Sequence, residues 1–119
     1  MQTPEGAVKD RIKNLLAAFK VLSRTAILRL SPGDVVHGFY WMPVQGHMAE
    51  GGVADFVCCV NGRFIAIEAK RPKGGRQSAL QAQFEETVNM SNGAYTICDG
   101  TPDSMDKLAR VIGAAITPV

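Results

Sequence analysis

The dipeptide Asn61-Gly62 constrains this chain more than any other short feature, because it stands alone between two apolar, β-prone runs. A two-residue hairpin turn needs φ > 0 at both central positions, and Asn followed by Gly meets that need at low cost. Residues 53–60 (VADFVCCV) and 63–70 (RFIAIEAK) are therefore predicted to pair antiparallel. The second run puts Ile65 and Ile67 on one face and Phe64 and Ala66 on the other, the pattern of a strand covered on both sides. It is expected near the middle of a sheet.

The same hairpin carries the chemistry. Asp55 precedes the turn and Glu68 and Lys70 close it, in the arrangement D-x12-E-x-K. Residues two apart on a strand share a face, so Glu68 and Lys70 point together while Ala69 faces the other way. Charges near the middle of a sheet are costly unless they are paired or hold a metal. Two carboxylates on adjacent strands, a backbone carbonyl and waters form the hard oxygen set that Mg²⁺ or Mn²⁺ prefers. A cation held there can polarise a scissile phosphate and lower the pKa of an attacking water, and a neighbouring ammonium can position that water. The plain alternative is a turn Asp and a Glu-Lys pair that snorkels at a strand end. Gly51-Gly52 places a glycine turn just before Asp55, where a substrate backbone could approach closely.

Elsewhere the chain alternates helix and strand signals. Thr3 as N-cap and Pro4 at the first position open a helix with Val8, Ile12, Leu15, Leu16 and Phe19 at helical spacing, expected to end before Ser31-Pro32-Gly33. Residues 35–42 are predicted as a strand in which Gly38 permits a bend or bulge, and 43–52 as a loop. Beyond a basic loop, Ser78 opens a helix with Leu80, Phe84 and Val88 on one stripe, ending near Asn92-Gly93. A strand over 94–98 is expected to return beside its predecessor by a right-handed crossover, followed by a helix over 102–115 with Met105, Leu108 and Ile112 inward. The expected class is α/β, with a mixed central sheet flanked by helices in the order α-β-β-β-α-β-α, forming one domain over 1–119.

Composition narrows the function classes. With 46% hydrophobic and 20% charged residues, the 119-residue chain has the balance of a soluble globular protein. No apolar run is long enough to span a bilayer and the polar start lacks a signal-peptide core, so no membrane role and an intracellular, cytoplasmic location are expected. The net charge of +2 identifies no partner, but Lys70, Arg71, Lys73 and Arg76 crowd one segment. Cys58, Cys59 and Cys98 lie in apolar stretches and are expected as buried thiols, and neither His37 nor His47 has a partner at zinc-ligand spacing. Tyr40 and Trp41 either stack on unpaired bases or pack in the core.

The runs GGVADFV and FIAIEAKRPKGGRQSALQAQFEETVNMSNGAYTICDG resemble the VRR-NUC domain, the virus-type replication-repair nuclease branch of the PD-(D/E)XK superfamily. That pattern has an N-terminal helical Glu, a Gly-x-x-Asp strand, an ExK strand and a Gln-bearing helix, matched here by Glu5, Asp55, Glu68, Lys70 and Gln81. The likeness is strongest over residues 52–100 and weakest over 31–50. A Pro common near the start of the Gln-bearing helix is replaced by Ala79. The resemblance implies a restriction-endonuclease-like core and a metal-dependent deoxyribonuclease. It implies Asp55, Glu68 and the Ala69 carbonyl as ligands of Mg²⁺ or Mn²⁺, Lys70 as base or water-orienting group, and Glu5 binding metal directly or through water. It further implies branched or Holliday-junction DNA as substrate, a homodimer, and a phage or bacterial setting. A nicking or flap-cleaving monomer and a non-catalytic DNA-binding module on the same fold are the alternatives.

Three supporting assignments have local competitors. Glu5 shares a helix face with Val8 and Ile12, yet an acid in a first turn also complements the helix dipole. Gln81 fits a capping box with Ser78 and also the active-site position, two roles that one rotamer is not expected to fill easily. Arg71, Lys73 and Arg76 are expected to contact DNA phosphates rather than remain a solvated turn.

Overall fold

A computed structural model describes residues 2–44 and 51–117. His47 and Met48, and most of the 43–52 loop, lie outside the described residues. The elements are α1 (Pro4–Ala18), β1 (Val21–Ser23), α2 (Arg24–Ile27), β2 (Gly38–Trp41), β3 (Phe56–Val60), β4 (Arg63–Ala69), α3 (Ala79–Met90), β5 (Ala94–Cys98) and α4 (Pro102–Ile116). They build a five-stranded mixed sheet in spatial order β1-β2-β3-β4-β5. β1 pairs with β2 and β4 with β5 in parallel; β2 with β3 and β3 with β4 run antiparallel.

The hairpin forms as its turn residues require. Asn61 (φ 49°) and Gly62 (φ 85°) both take the left-handed conformation. Val60 therefore stands opposite Arg63, Cys58 opposite Ile65 and Phe56 opposite Ile67. β4 is hydrogen-bonded on both edges, as expected of a strand whose two faces are both apolar.

The period-2 alternation divides the sheet between two helical layers. Phe56, Cys58, Ile65 and Ile67 join Val8, Ile12 and Leu16 of α1 and Leu108 and Ile112 of α4 in the main core. Ala54 and Ala66 face the other way, toward Val88 of α3, with Phe84 and Tyr95 packed alongside. Glu68 shares the parity of Ala66 and so belongs to the α3 side. Thr3, Ser78 and Thr101 each accept a backbone N–H near the start of the helix they cap, and Pro4 and Pro102 occupy positions where a missing N–H costs nothing.

The region between the end of α1 and β2 departs from expectation, apart from the turn at Ser31-Pro32-Gly33, which forms. α1 stops at Ala18 instead of continuing toward Ser31, because Lys20 takes φ 61° just beyond the Phe19 cap. That stop conformation normally falls to Gly or Asn, so a Lys there leaves no sequence signature. The chain then adds the edge strand β1, anchored by the fully buried Val21, and the short α2 capped by Ser23. The observed order is accordingly α-β-α-β-β-β-α-β-α. β2 begins only at Gly38, which pairs in regular register with Val21 and Val60 and forms no bulge. A side chain on Gly38 would lie 2.3 Å from the Cys59 carbonyl oxygen, so the glycine serves close strand approach rather than bending. Cys58 and Cys98 are buried free thiols as expected, whereas Cys59 is half-buried.

Candidate active site

Strand directions bring Ser23, Trp41, Phe56, Ala69 and Cys98 to one end of the sheet, and the predicted site residues gather there. Asp55 immediately precedes Phe56, whose partner is Ile67, so the two-residue turn carries Asp55 to the level of Glu68 and Ala69. Asp55 Oδ2 accepts the Ala69 N–H at 2.8 Å. In extended backbone a residue's N–H and C=O leave the strand on the same edge, so the Ala69 carbonyl shares the Asp55 side. The next amide, Lys70 N–H, bonds the Cys98 carbonyl at 2.9 Å on the opposite edge.

Glu68 is 3% exposed, one of only two buried polar or charged residues among those described. One of its carboxylate oxygens, Oε1, accepts from Gln81 Nε2 at 2.8 Å and lies 3.8 Å from Lys70 Nζ. The other, Oε2, is buried with no donor. An orphaned carboxylate oxygen is expensive in an apolar setting, and a cation is the ligand that would satisfy it. Burial pushes the Glu68 carboxyl up to about 8, aided by a hydrogen bond with Asp55 and by the Asp55 charge; Lys70 opposes the shift and Glu5 adds to it. The Asp55 bond exists only while a proton sits between the two carboxyls.

This proton gives a stability prediction. Between about pH 4.5 and 8 the folded chain keeps on Glu68 a proton that the unfolded chain has lost. The stabilisation is complete at the acid end of that window and disappears as pH rises through about 8. In chelator, Tm should therefore fall from pH 5 to pH 8.5. Added Mn²⁺ or Mg²⁺ should restore it, most strongly at the alkaline end, as differential scanning fluorimetry would record. A Tm that stays flat with pH and metal would contradict the arrangement.

One Gln81 rotamer closes the capping box and also reaches Glu68 and Lys70, contrary to the expectation that the two positions would compete. Its Oε1 accepts from Ser78 N–H and from Lys70 Nζ, both at 2.9 Å, while its Nε2 serves Glu68. The two ends of an amide differ chemically, so the oxygen can close the capping box and hold an ammonium while the nitrogen binds a carboxylate. The cap that starts α3 thus fixes Lys70 relative to Glu68.

Glu5, half-buried at the start of α1, acts on Glu68 through its charge. Among the described residues no three His, Cys, Asp or Glu side chains converge to hold a metal by themselves. The available donors are the two carboxylates and the Ala69 carbonyl, with water completing a shell of the kind Mg²⁺ tolerates. Arg71, Lys73 and Arg76 are exposed beyond β4; Arg71 bonds the Gly74 carbonyl at 3.2 Å, and among the described residues neither Lys73 nor Arg76 makes a side-chain hydrogen bond or ion pair.

Lys9 joins the site, and Tyr95 lies nearby on the sheet face that carries Glu68; the sequence singled out neither. Lys9 Nζ lies 3.6 Å from Asp55 Oδ1. Its position four residues after Glu5, on the same helix face, was the available signal. Tyr95 on β5 packs edge-on against Phe84 at 6.3 Å, and burial pushes its hydroxyl up to about 12, where it stays neutral. Nothing in its sequence neighbourhood marked it. Gly52 also packs closely against α3. A Cβ on it would lie 2.4 Å from the Leu80 backbone, so its close neighbour is the first turn of α3.

Compared with protein-family models, with curated proteins and with solved structures, the chain matches none.

Proposed function

We propose that this protein is a Mg²⁺- or Mn²⁺-dependent DNA endonuclease of the PD-(D/E)XK type, with a VRR-NUC-like site. The observation that carries this reading is the buried Glu68 carboxylate, with one oxygen unsatisfied, beside Asp55 and a tethered Lys70. Asp55, Glu68 and the Ala69 carbonyl would hold the cation, and Glu5, whose charge is felt at Glu68, is proposed to contribute through water. When bound, the cation supplies Lewis acidity toward the scissile phosphate and the attacking water. Lys70, held by Gln81 and close to Glu68, positions that water and offsets negative charge developing on the phosphate. Arg71, Lys73 and Arg76 supply cations for the flanking phosphates and set register without reading sequence. Branched DNA is the proposed substrate and a homodimer the proposed working form, because two copies of so short a domain can grip and cut two strands. No described helix is long and apolar enough to cross a membrane, and the reading places the enzyme in the cytoplasm with its DNA.

The test is cleavage of labelled four-way, flap and linear substrates with Mg²⁺, Mn²⁺ or EDTA, beside a mass measurement in solution. Metal-dependent cutting that favours branched over linear DNA by about tenfold, roughly 1.4 kcal/mol, is the expected result. Failure to cut any substrate with either metal would leave only a binding module.

A further inference from the structure

The two lysines at the site are held differently. Lys70 Nζ is tethered to Gln81 Oε1 at 2.9 Å, through the residue that also caps α3. Lys9 Nζ lies 3.6 Å from Asp55 Oδ1, well beyond the roughly 2.7–2.9 Å of a charge-assisted hydrogen bond. The Lys9 side chain is 31% exposed, so its ammonium keeps contact with water and can swing on its four-carbon stem. The backbone beneath it is fixed. Val8 and Ile12 are buried in the main core, and Arg11 Nη1 donates to the Gly100 carbonyl at 2.8 Å, which pins this turn of α1 to the loop after β5. A movable ammonium on a fixed base therefore stands beside Asp55.

The two lysines also come from opposite layers. α1 packs on the face of Phe56, Ile67 and Ala69, whereas Lys70 has the parity of Glu68 and belongs to the α3 side. Asp55 commits Oδ2 to the Ala69 N–H at 2.8 Å, so Oδ1, the oxygen facing Lys9, is the one it has left to offer a cation. An ammonium and a divalent cation repel each other, so at that oxygen they are alternatives rather than joint partners. A part-exposed ion pair is weak and releases its ammonium readily.

We propose that Lys9 is a second phosphate-binding lysine of the site: it yields Asp55 Oδ1 to the metal and turns to a non-bridging oxygen of the scissile phosphate, across the sheet from Lys70. The inference rests on the nuclease reading and adds a residue to its site. Lys9 exchanges one anion for another, so its charge is not left facing the metal. Lysine suits the exchange better than arginine, whose planar fork would hold the carboxylate in one geometry.

Lys9→Met tests this without any cleavage. Methionine is about as good a helix former as lysine and removes only the charge at this part-exposed position. Mn²⁺ affinity, from titration calorimetry on DNA-free protein, should rise about tenfold as the competing charge is lost. Duplex affinity, from fluorescence anisotropy in Ca²⁺, should fall about tenfold, and the slope of log K against log salt should drop by about 0.9, one phosphate contact. In EDTA, where Asp55 engages Lys9, the loss of duplex affinity should be far smaller. Opposite movements of the two affinities are what loss of a merely structural contact would not produce. Lys13→Met is the control. It removes the same charge one turn further along α1, where Lys13 pairs loosely with the exposed Asp10 at 4.0 Å, and Mn²⁺ affinity should stay unchanged. Unchanged or weaker Mn²⁺ binding by Lys9→Met, an equal gain in Lys13→Met, or equal duplex losses in Ca²⁺ and EDTA would overturn the proposal. Wild-type protein that binds no Mn²⁺ would overturn it together with the nuclease reading. The expected shifts without cleavage of any substrate would remove the nuclease reading and keep Lys9 as a phosphate ligand, whereas cleavage with unshifted affinities would remove Lys9 alone.

Discussion

Glu68→Gln should reduce cleavage by on the order of a thousandfold while raising the stability of the metal-free protein at pH 8. The activity loss follows from removing a ligand oxygen: Lewis-acid stabilisation is worth several kcal/mol, and about 4 kcal/mol corresponds to roughly three decades of rate. The stability gain follows from the unsatisfied buried oxygen and the opposing Asp55 charge. A glutamine can still accept from Gln81 through its oxygen, and its amide can donate to Asp55. The variant should also lose the fall in Tm with rising pH, since no proton remains to be released there. Two measurements check this: metal-dependent cleavage and Tm in chelator at pH 8, where a gain of a few °C is expected. Retained cleavage would remove Glu68 from the site. A lower Tm at pH 8 would mean that the carboxylate is held by interactions other than those a cation would complete.

Gly52→Ala should destabilise the fold and disturb the site together. Gly52 has φ 84°, and the added Cβ would meet Leu80 C at 2.4 Å and Leu80 O at 2.5 Å. The left-handed conformation costs a non-glycine residue about 1–2 kcal/mol, and overpacking against rigid backbone a further 1–3 kcal/mol. Against a total stability of about 5–15 kcal/mol, this is a large fraction. Tm should fall by on the order of 10 °C. Because Leu80 adjoins Gln81, pushing α3 outward also separates Gln81 from Glu68 and Lys70, so cleavage per folded molecule should fall as well. Gly51→Ala is the control: its Cβ would meet only the flexible Leu80 Cδ1 at 2.7 Å, and a Tm near wild type is expected. Equal losses in the two variants would remove the special role of Gly52.

The hairpin, the starts of α1, α3 and α4 and the strand Ala94–Cys98 were legible because each rests on local rules. Turn residues with φ > 0, hydroxyls that cap helix starts, and apolar alternation all act within a few residues. Of the region over 19–37, the Ser31-Pro32-Gly33 turn was legible, with Asp34 N–H bonded to the Ser31 carbonyl, but β1 and α2 were not. α1 ends there through a left-handed Lys20, and β1 exists only because Val21 is buried and β2 offers a parallel edge. A three-residue strand has no periodicity of its own to detect.

The candidate site divides in the same way. The sequence alone determined that Asp55 comes near Glu68 and Lys70, since a two-residue turn fixes strand register and register fixes which side chains meet. Tertiary structure decided the rest, because it depends on packing between elements distant in sequence. Seating α3 on Gly52 lets one Gln81 amide cap its helix and bridge Glu68 to Lys70. Docking α1 brings Lys9 to Asp55, and burial on the α3 face leaves one Glu68 oxygen without a partner.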